Sequence, residues 1–218
     1  SKLDSYLCQL DTLSRRRWLT LAEMRQMAGR LQRAMLTLPP GSRCLLAPLY
    51  AAMSGLKRPW AKRNTTSRLR SDLRTILQLL KLNMGKGYYS YALHRRAPDV
   101  WTDASRREPH GDESYSGGGY FSACGRYCYF AFDSRFAREQ TIDFMEGYTV
   151  LLAAESLAHL WRRCRVTFWI DNQSFQLSGA AGRSRVERLN WLLRRLLILQ
   201  VEYDFVLEYK WICLLYTS

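Results

Sequence analysis

Along the first third of the chain, apolar residues recur every three or four positions; further on they fall into short runs and alternations. The clearest early segment is TLAEMRQMAGRLQRAMLTLPPG, residues 20–41. Leu21, Met24, Ala28, Leu31, Met35 and Leu38 share one helical face, and Arg25, Arg30 and Arg33 occupy the other. Thr20 and Glu23 have capping-box spacing, and Pro39, Pro40 and Gly41 end the pattern. SRCLLAPLYAAMSGL (42–56) reads as a less regular helix, kinked or broken at Pro48. KRPWAKRNTTSR (57–68) reads as a basic loop, and SRLRSDLRTILQLLKLN (67–83) as a third helix with Leu69, Leu73, Ile76, Leu77 and Leu80 facing inward. Residues 1–85 are therefore expected to be helical, with the Leu and Met stripes as core.

The period changes after about residue 86. YYSYALHRRAPDVWTDAS (88–105) reads as extended, and REPHGDESYSGGG (107–119) as a polar, Gly-rich loop. YFSACGRYCYFAF (120–132) predicts a hairpin turning at Gly125-Arg126. TIDFMEGYTVLLAAESLAHLWRR (141–163) predicts a helix, RVTFWID (165–171) a buried strand and GRSRVERLNWLLRRLLILQ (182–200) a second helix. VEYDFVLEYKWI (201–212) alternates apolar and polar, which predicts a half-exposed strand. The order is three strands, helix, strand, helix, strand, an α/β pattern opening on an antiparallel hairpin.

Charge divides the chain in the same place. Residues 1–96 hold 19 Lys+Arg against 4 Asp+Glu, net +15, and residues 97–218 hold 14 against 15, net −1, which sum to the overall +14. A segment this basic predicts a polyanionic partner, nucleic acid above all, with a solvated basic surface as the alternative. There is no apolar run of membrane-spanning length, so no membrane partner is expected. The N-terminus carries no signal-peptide pattern, and without an initiator Met the chain is expected to be a piece of a longer one. Six irregularly spaced cysteines predict reduced thiols in an intracellular protein; Cys124, Cys128 and His110 lack a finger spacing and a fourth zinc ligand.

Three acids stand in unusual places. Asp103 and Asp171 each close a strand-like apolar run, VWTD and VTFWID. Glu146 lies mid-stripe on an apolar helix face with Val150, Ala153, Leu157, Leu160 and Trp161, whereas Glu155 lies on the polar side. Each has a local explanation: Asp171 as a cap of the turn at NQS, Asp103 in a turn with Ser105, Glu146 at a helix N-terminus. Were the two strands neighbours with the helix across them, the three carboxylates would meet at one sheet end. Carboxylates that close repel unless a hard divalent cation joins them. Two such cations would suit attack on a phosphodiester.

The ordered set VWTDAS, GGGYF, IDFMEGYTVLLAAESLAHLW, VTFWIDNQS and RSRVERLNWLLRRLLILQVEYDFVLEYKWI resembles the ribonuclease H domain of retrotransposon reverse transcriptases, of the gypsy-like and DIRS-like kinds. LAEMRQMAGRLQRAMLTLPPG followed by RSDLRTILQLL resembles their helical thumb-to-connection segment. The resemblance implies a basic helical segment over 1–90 and, over 97–212, a ribonuclease H-like mixed sheet with flanking helices that lacks its last helix. It implies Asp103, Glu146 and Asp171 as catalytic, metal-binding carboxylates for Mg²⁺, with Mn²⁺ as the alternative, cleaving the RNA strand of an RNA–DNA hybrid. Gly118, Gly119, Asn172, Arg58, Lys62 and Arg63 are the nucleic-acid-binding candidates, the basic residues through phosphates. The rest of a reverse transcriptase polyprotein is the expected protein partner, in cytoplasm or nucleus.

Two departures qualify the expectation. The polymerase palm is absent, so no DNA synthesis is expected. The family's fourth acid, on a helix after the last strand, has no counterpart in CLLYTS, residues 213–218, which read as a non-native tail. Weak cleavage or none is therefore expected, and the alternative is a non-catalytic remnant that binds nucleic acid. Integrases and junction resolvases share related folds, but the connection-like segment argues against them.

Overall fold

The structure is a computed structural model, and it describes residues 2–39, 41–83, 95–106 and 116–212. The chain divides into two compact units, residues 1–89 and 90–218. The expectations for 84–94, the polar stretch 107–115 and the tail 213–218 lie outside the described residues. No described helix is long and apolar enough to cross a membrane.

The first unit runs α1 (Lys2–Arg15), β1 (Trp18–Thr20), α2 (Leu21–Ala34), α3 (Ala47–Met53), β2 (Lys62–Asn64) and α4 (Ser67–Leu82). Helix α2 starts where the sequence places it. The Thr20 hydroxyl accepts the Glu23 N–H at 3.2 Å, and the Glu23 carboxylate accepts the Thr20 N–H at 2.9 Å, completing the capping box. Leu21, Met24, Leu31, Leu49, Leu69, Leu73 and Ile76 are fully buried, so the helical stripes form this unit's core. Two expectations change. Pro48 neither kinks nor breaks a helix: it sits in the first turn of α3, after a 3-10 turn over Ser42–Leu46, where its missing N–H costs nothing. The basic loop contains a strand, since β2 pairs antiparallel with β1 through Trp18↔Asn64 and Thr20↔Lys62.

The second unit contains β3 (Arg95–Arg96), β4 (Val100–Ser105), β5 (Gly117–Ser122), β6 (Tyr127–Ala131), α5 (Ser134–Glu139), α6 (Ile142–Leu157), β7 (Cys164–Ile170), α7 (Gln173–Ala181), α8 (Glu187–Tyr203) and β8 (Val206–Trp211). One mixed sheet results. Strands β6, β5 and β4 are antiparallel neighbours, β4 pairs parallel with β7, and β7 pairs parallel with β8. Short β3 precedes β4 beside β7. On β4 the side chains alternate: Val100, Thr102 and Ala104 are buried, while Trp101, Asp103 and Ser105 are exposed. Val100 packs with Val166, Phe168 and Ile170 of β7, Val150 and Ala154 of α6, and Leu192 and Leu196 of α8, whereas Ala104 joins a smaller cluster with Ala137 of α5 and Met145 of α6.

Several local readings shift. Gly117–Gly119 form the start of β5 and not the end of the polar loop, so Gly118 and Gly119 lie on the strand after β4, as the resemblance implies. Asp103 lies within β4, not at its end. Helix α6 stops at Leu157 and gives way to a 3-10 turn over Ala158–Leu160, so Leu160 leaves the apolar stripe and is exposed. Residues 201–203 belong to α8, not to a strand: Asp204 caps that helix in the left-handed region at φ 58, and only then does β8 begin. Phe205, Val206 and Leu207 are consecutively buried, because a strand covered on both faces need not alternate.

Helix α6 crosses close to its neighbours at Gly147. A Cβ there would collide with the fully buried Phe175 ring and approach Leu192 Cδ1 at 2.9 Å. Gly147→Ala should lower the stability of the chain by about 1–3 kcal/mol through overpacking. The midpoint of urea unfolding reads this directly; an unchanged or raised midpoint would mean the α6 crossing is looser than described.

Candidate metal centre

The parallel pairing of β4 with β7 ends at Thr102↔Ile170. Asp103 and Asp171 each follow that last pair by one residue, so the two carboxylates stand level at the sheet end. Strand β4 continues past this point by pairing with β5, Asp103 opposite Gly119. Beyond the last β7 pair, Ala104 turns its N–H to α6 instead: it donates to Glu146 Oε1 at 3.0 Å. That bond gives a buried helix carboxylate a reason to be there. Ligand atoms of Asp103, Glu146 and Asp171 lie within 4.8 Å of one another.

Glu146 is 2 % exposed. Its Oε2 and Oδ1 of Asp171 are buried with no hydrogen-bond partner. Two orphaned carboxylate oxygens in one acidic cluster are costly. Hard cations with oxygen ligands remove that cost, so the donor set fits a divalent metal ion. Electrostatics agree. Burial, then the Asp171 charge, pushes the Glu146 carboxyl up to about 8 against the opposing Ala104 N–H bond, with Asp103 and Asp143 adding to the rise. The Asp171 carboxyl is raised by burial and then by Asp103.

The other candidates fall into two places. Gly118 and Gly119 lie on β5 beside the carboxylates, and each has a packing reason for lacking a side chain. A Cβ on Gly118 would collide with the Thr149 hydroxyl and meet the Phe130 ring, and one on Gly119 would lie 2.9 Å from the Cys128 carbonyl. Gly119, Asp103 and Asp171 line a groove of about 430 Å³ on the open sheet face, walled by Trp101, Phe121 and Tyr129. Asn172 uses its amide on both sides: its Oδ1 caps α7 by accepting the Phe175 N–H at 2.9 Å, and its Nδ2 donates to Asp143 Oδ1 at 2.7 Å. Arg58, Lys62 and Arg63 are exposed in the first unit, on or next to β2.

Sequence reasoning missed Asp143. It stands one turn before Glu146, and through Asn172 it ties the α6 carrier of Glu146 to the residue after Asp171. Its spacing of three from Glu146 was the available signal, masked because an acid in a first helical turn has an ordinary explanation. The cap of α7 is likewise Asn172 and not Asp171, which leaves the Asp171 carboxylate to face the cluster.

No protein-family model matches the chain, and no curated protein does. Among solved structures, the N-terminal ribonuclease H domain of a Mycobacterium tuberculosis protein, fused to maltose-binding protein, is 14% identical with a TM-score of 0.39, covering 55% of this chain and 86% of that one. A foamy viral protease-reverse transcriptase in complex with an RNA/DNA hybrid is 18% identical with a TM-score of 0.31, covering 94% of this chain and 26% of that one. The same viral enzyme in complex with double-stranded DNA is 15% identical with a TM-score of 0.34, covering 96% and 41%. The chain thus spans well under half of these viral proteins. In the second unit an antiparallel β6-β5-β4 meander is continued by parallel β7 and β8, a mixed sheet with flanking helices as the sequence predicts.

The carboxyl of Glu146 titrates higher in the folded chain than its ordinary 4.5. Between these values the folded state holds a proton that the unfolded state has lost. Stability of the metal-free chain should therefore fall as pH rises from about 4.5 to 8, by at most about 1.4 kcal/mol per pH unit for one proton. Glu146→Gln should flatten that slope and stabilise the metal-free chain at pH 8. Melting temperatures across this range, in EDTA, decide it; parallel slopes for the two proteins would remove Glu146 as the source.

Proposed function

We propose that the second unit is a ribonuclease H-type nuclease domain of a retroelement reverse transcriptase, gypsy-like or DIRS-like, acting on the RNA strand of RNA–DNA hybrids. The observation that carries this reading is the trio Asp103, Glu146 and Asp171 with two orphaned buried oxygens at the sheet end. Mg²⁺, or Mn²⁺ in its place, would supply positive charge to draw in a phosphodiester and offset the charge growing on its leaving 3′ oxygen. The chain's own residues do the positioning. Asp103 is presented by a strand paired on both sides up to Thr102. Glu146 is aimed by the Ala104 N–H, and Asp171 is set by its place after β7 with Asn172 latched to Asp143.

The first unit supports a nucleic-acid partner, as a thumb-to-connection-like segment. Arg58, Lys62 and Arg63 would take phosphates. So would α2, where Gly29 has nothing within 4 Å of its Cβ position yet sits in a helix interior between Arg25 and Arg33, one turn either side. Glycine there costs about 1 kcal/mol against alanine without packing in return, which suits close approach by a ligand. A second reading, a binding remnant without catalysis, is favoured by the count of three carboxylates in the cluster among the described residues.

Asp103→Asn should reduce cleavage of an end-labelled RNA–DNA hybrid at least about 100-fold in Mg²⁺. Hybrid binding and melting temperature should be retained or improved, because a repelling charge is removed. If the unaltered chain binds hybrid but cleaves it in neither Mg²⁺ nor Mn²⁺, the remnant reading replaces the enzyme.

A further inference from the structure

The β1–β2 ribbon of the first unit exposes more aromatic surface than its packing explains. Trp60 is 68% exposed and Trp18 48%. An arginine stands over each ring: Arg58 Cζ lies 5.9 Å from the Trp60 centroid and Arg17 Cζ 5.8 Å from that of Trp18. The loop that presents Trp60 is pinned on both sides of it. Pro59 O accepts the Ala22 N–H at 3.0 Å, and Ala61 O accepts the Leu21 N–H at 2.9 Å. Arg63 Nη2 fastens the following strand by donating to Ser54 O at 2.8 Å. The register places Trp18 opposite Asn64 and Thr20 opposite Lys62, so Trp18 and Lys62 share a face of the ribbon.

The charge around the two indoles has one sign. KRPWAKR carries four cations and no acid. Glu23 at the start of α2 is engaged by Arg16 and by Thr20. Phosphate binding alone would need cations but not an exposed indole on a pinned loop, and an exposed indole alone would need no cations. An unpaired nucleobase with its flanking phosphates uses both, since every base offers a face to stack on while the backbone meets Lys and Arg. Bases inside a duplex are stacked on one another and cannot reach an indole.

We propose that Trp60, backed by Arg58, is a stacking platform for an unpaired base of a nucleic-acid strand, with Lys62 on the neighbouring phosphate and Trp18 with Arg17 as a second platform. The inference rests on the nucleic-acid reading of the first unit and narrows its ligand to a single strand or a duplex with an unpaired extension.

The test is fluorescence anisotropy of the full chain, in EDTA, with a blunt RNA–DNA hybrid and with the same hybrid carrying an unpaired extension. The unaltered chain should prefer the extended probe. Trp60→Ala should weaken binding of the extended probe about tenfold or more and of the blunt probe less than about twofold, while Trp60→Phe keeps most of the preference. Trp60→Leu retains apolar bulk without a π face and should behave as the alanine variant, so it decides the matter if alanine unfolds the unit. Equal loss on both probes, or no loss on either, overturns the stacking role and leaves the phosphate reading standing. Failure of the unaltered chain to bind either probe overturns both. Trp60-dependent binding of a polyglutamate peptide in place of the oligonucleotides would make the ligand a protein and overturn the proposal.

Discussion

The register at which two parallel strands stop pairing governs the second unit. Because β4 and β7 part company after Thr102↔Ile170, Asp103 and Asp171 emerge side by side and the N–H of Ala104 is left for another partner. Glu146 takes that N–H. A register slip of one residue would turn Asp103 to the helix-covered side and Thr102 to the open face. The alternation of β4 forbids this, since Val100, Thr102 and Ala104 are its buried face, Val100 in the core with α6 and α8 and Ala104 against Met145 of α6 and Ala137 of α5. The core therefore fixes the carboxylates, and not the reverse.

Holding three carboxylates together works against folding, and the surrounding bonds show how the strain is carried. Glu146 is accommodated by one backbone donor and by a proton that burial keeps on it well above the ordinary carboxylate range. The Asn172–Asp143 bond adds a tether between α6 and the start of α7, across the gap that the cluster occupies. Close packing of Gly118 against Thr149 brings β5 near α6 on the same side. These contacts fix the three carboxylates relative to one another, the kind of arrangement that binding of a compact ion would use.

The sequence shows much of this because its strongest signals are also the strongest physical ones. The α2 capping box, the stripe through α4 and the hairpin at Gly125 rest on local chemistry and appear where the pattern puts them. Glu146 stood out because an acid in an apolar stripe violates the pattern, and it is indeed buried. What was illegible depends on contacts between elements. The end of α8 at Asp204 was hidden because Val201, Tyr203 and Phe205 alternate by accident, and only a left-handed residue reveals the stop. Asp143 was hidden because its meaning lies in a bond between residues 29 apart, and the cap role of Asn172, a local bond from the Phe175 N–H, was hidden because the adjacent Asp171 is an equally good cap residue. The β1–β2 pairing was hidden because three-residue strands carry no periodicity.

The charge division between the units has a consequence for the order of events under the proposed function. A polyanion is drawn by the first unit, whose 17 Lys+Arg against 4 Asp+Glu over residues 1–89 give net +13, while the carboxylate cluster of the second repels it. Affinity for nucleic acid then belongs to the basic unit and needs no metal, whereas engagement of the sheet-end cluster needs its charge offset first. Protonation of Glu146 offsets one of the three charges near neutral pH, and a divalent cation would offset the remainder. The same carboxyl cannot do both, because a proton on Glu146 occupies the oxygen that a cation would use. Metal loading should thus compete with protonation at Glu146, whose carboxyl is raised first by its burial and then by the Asp171 charge.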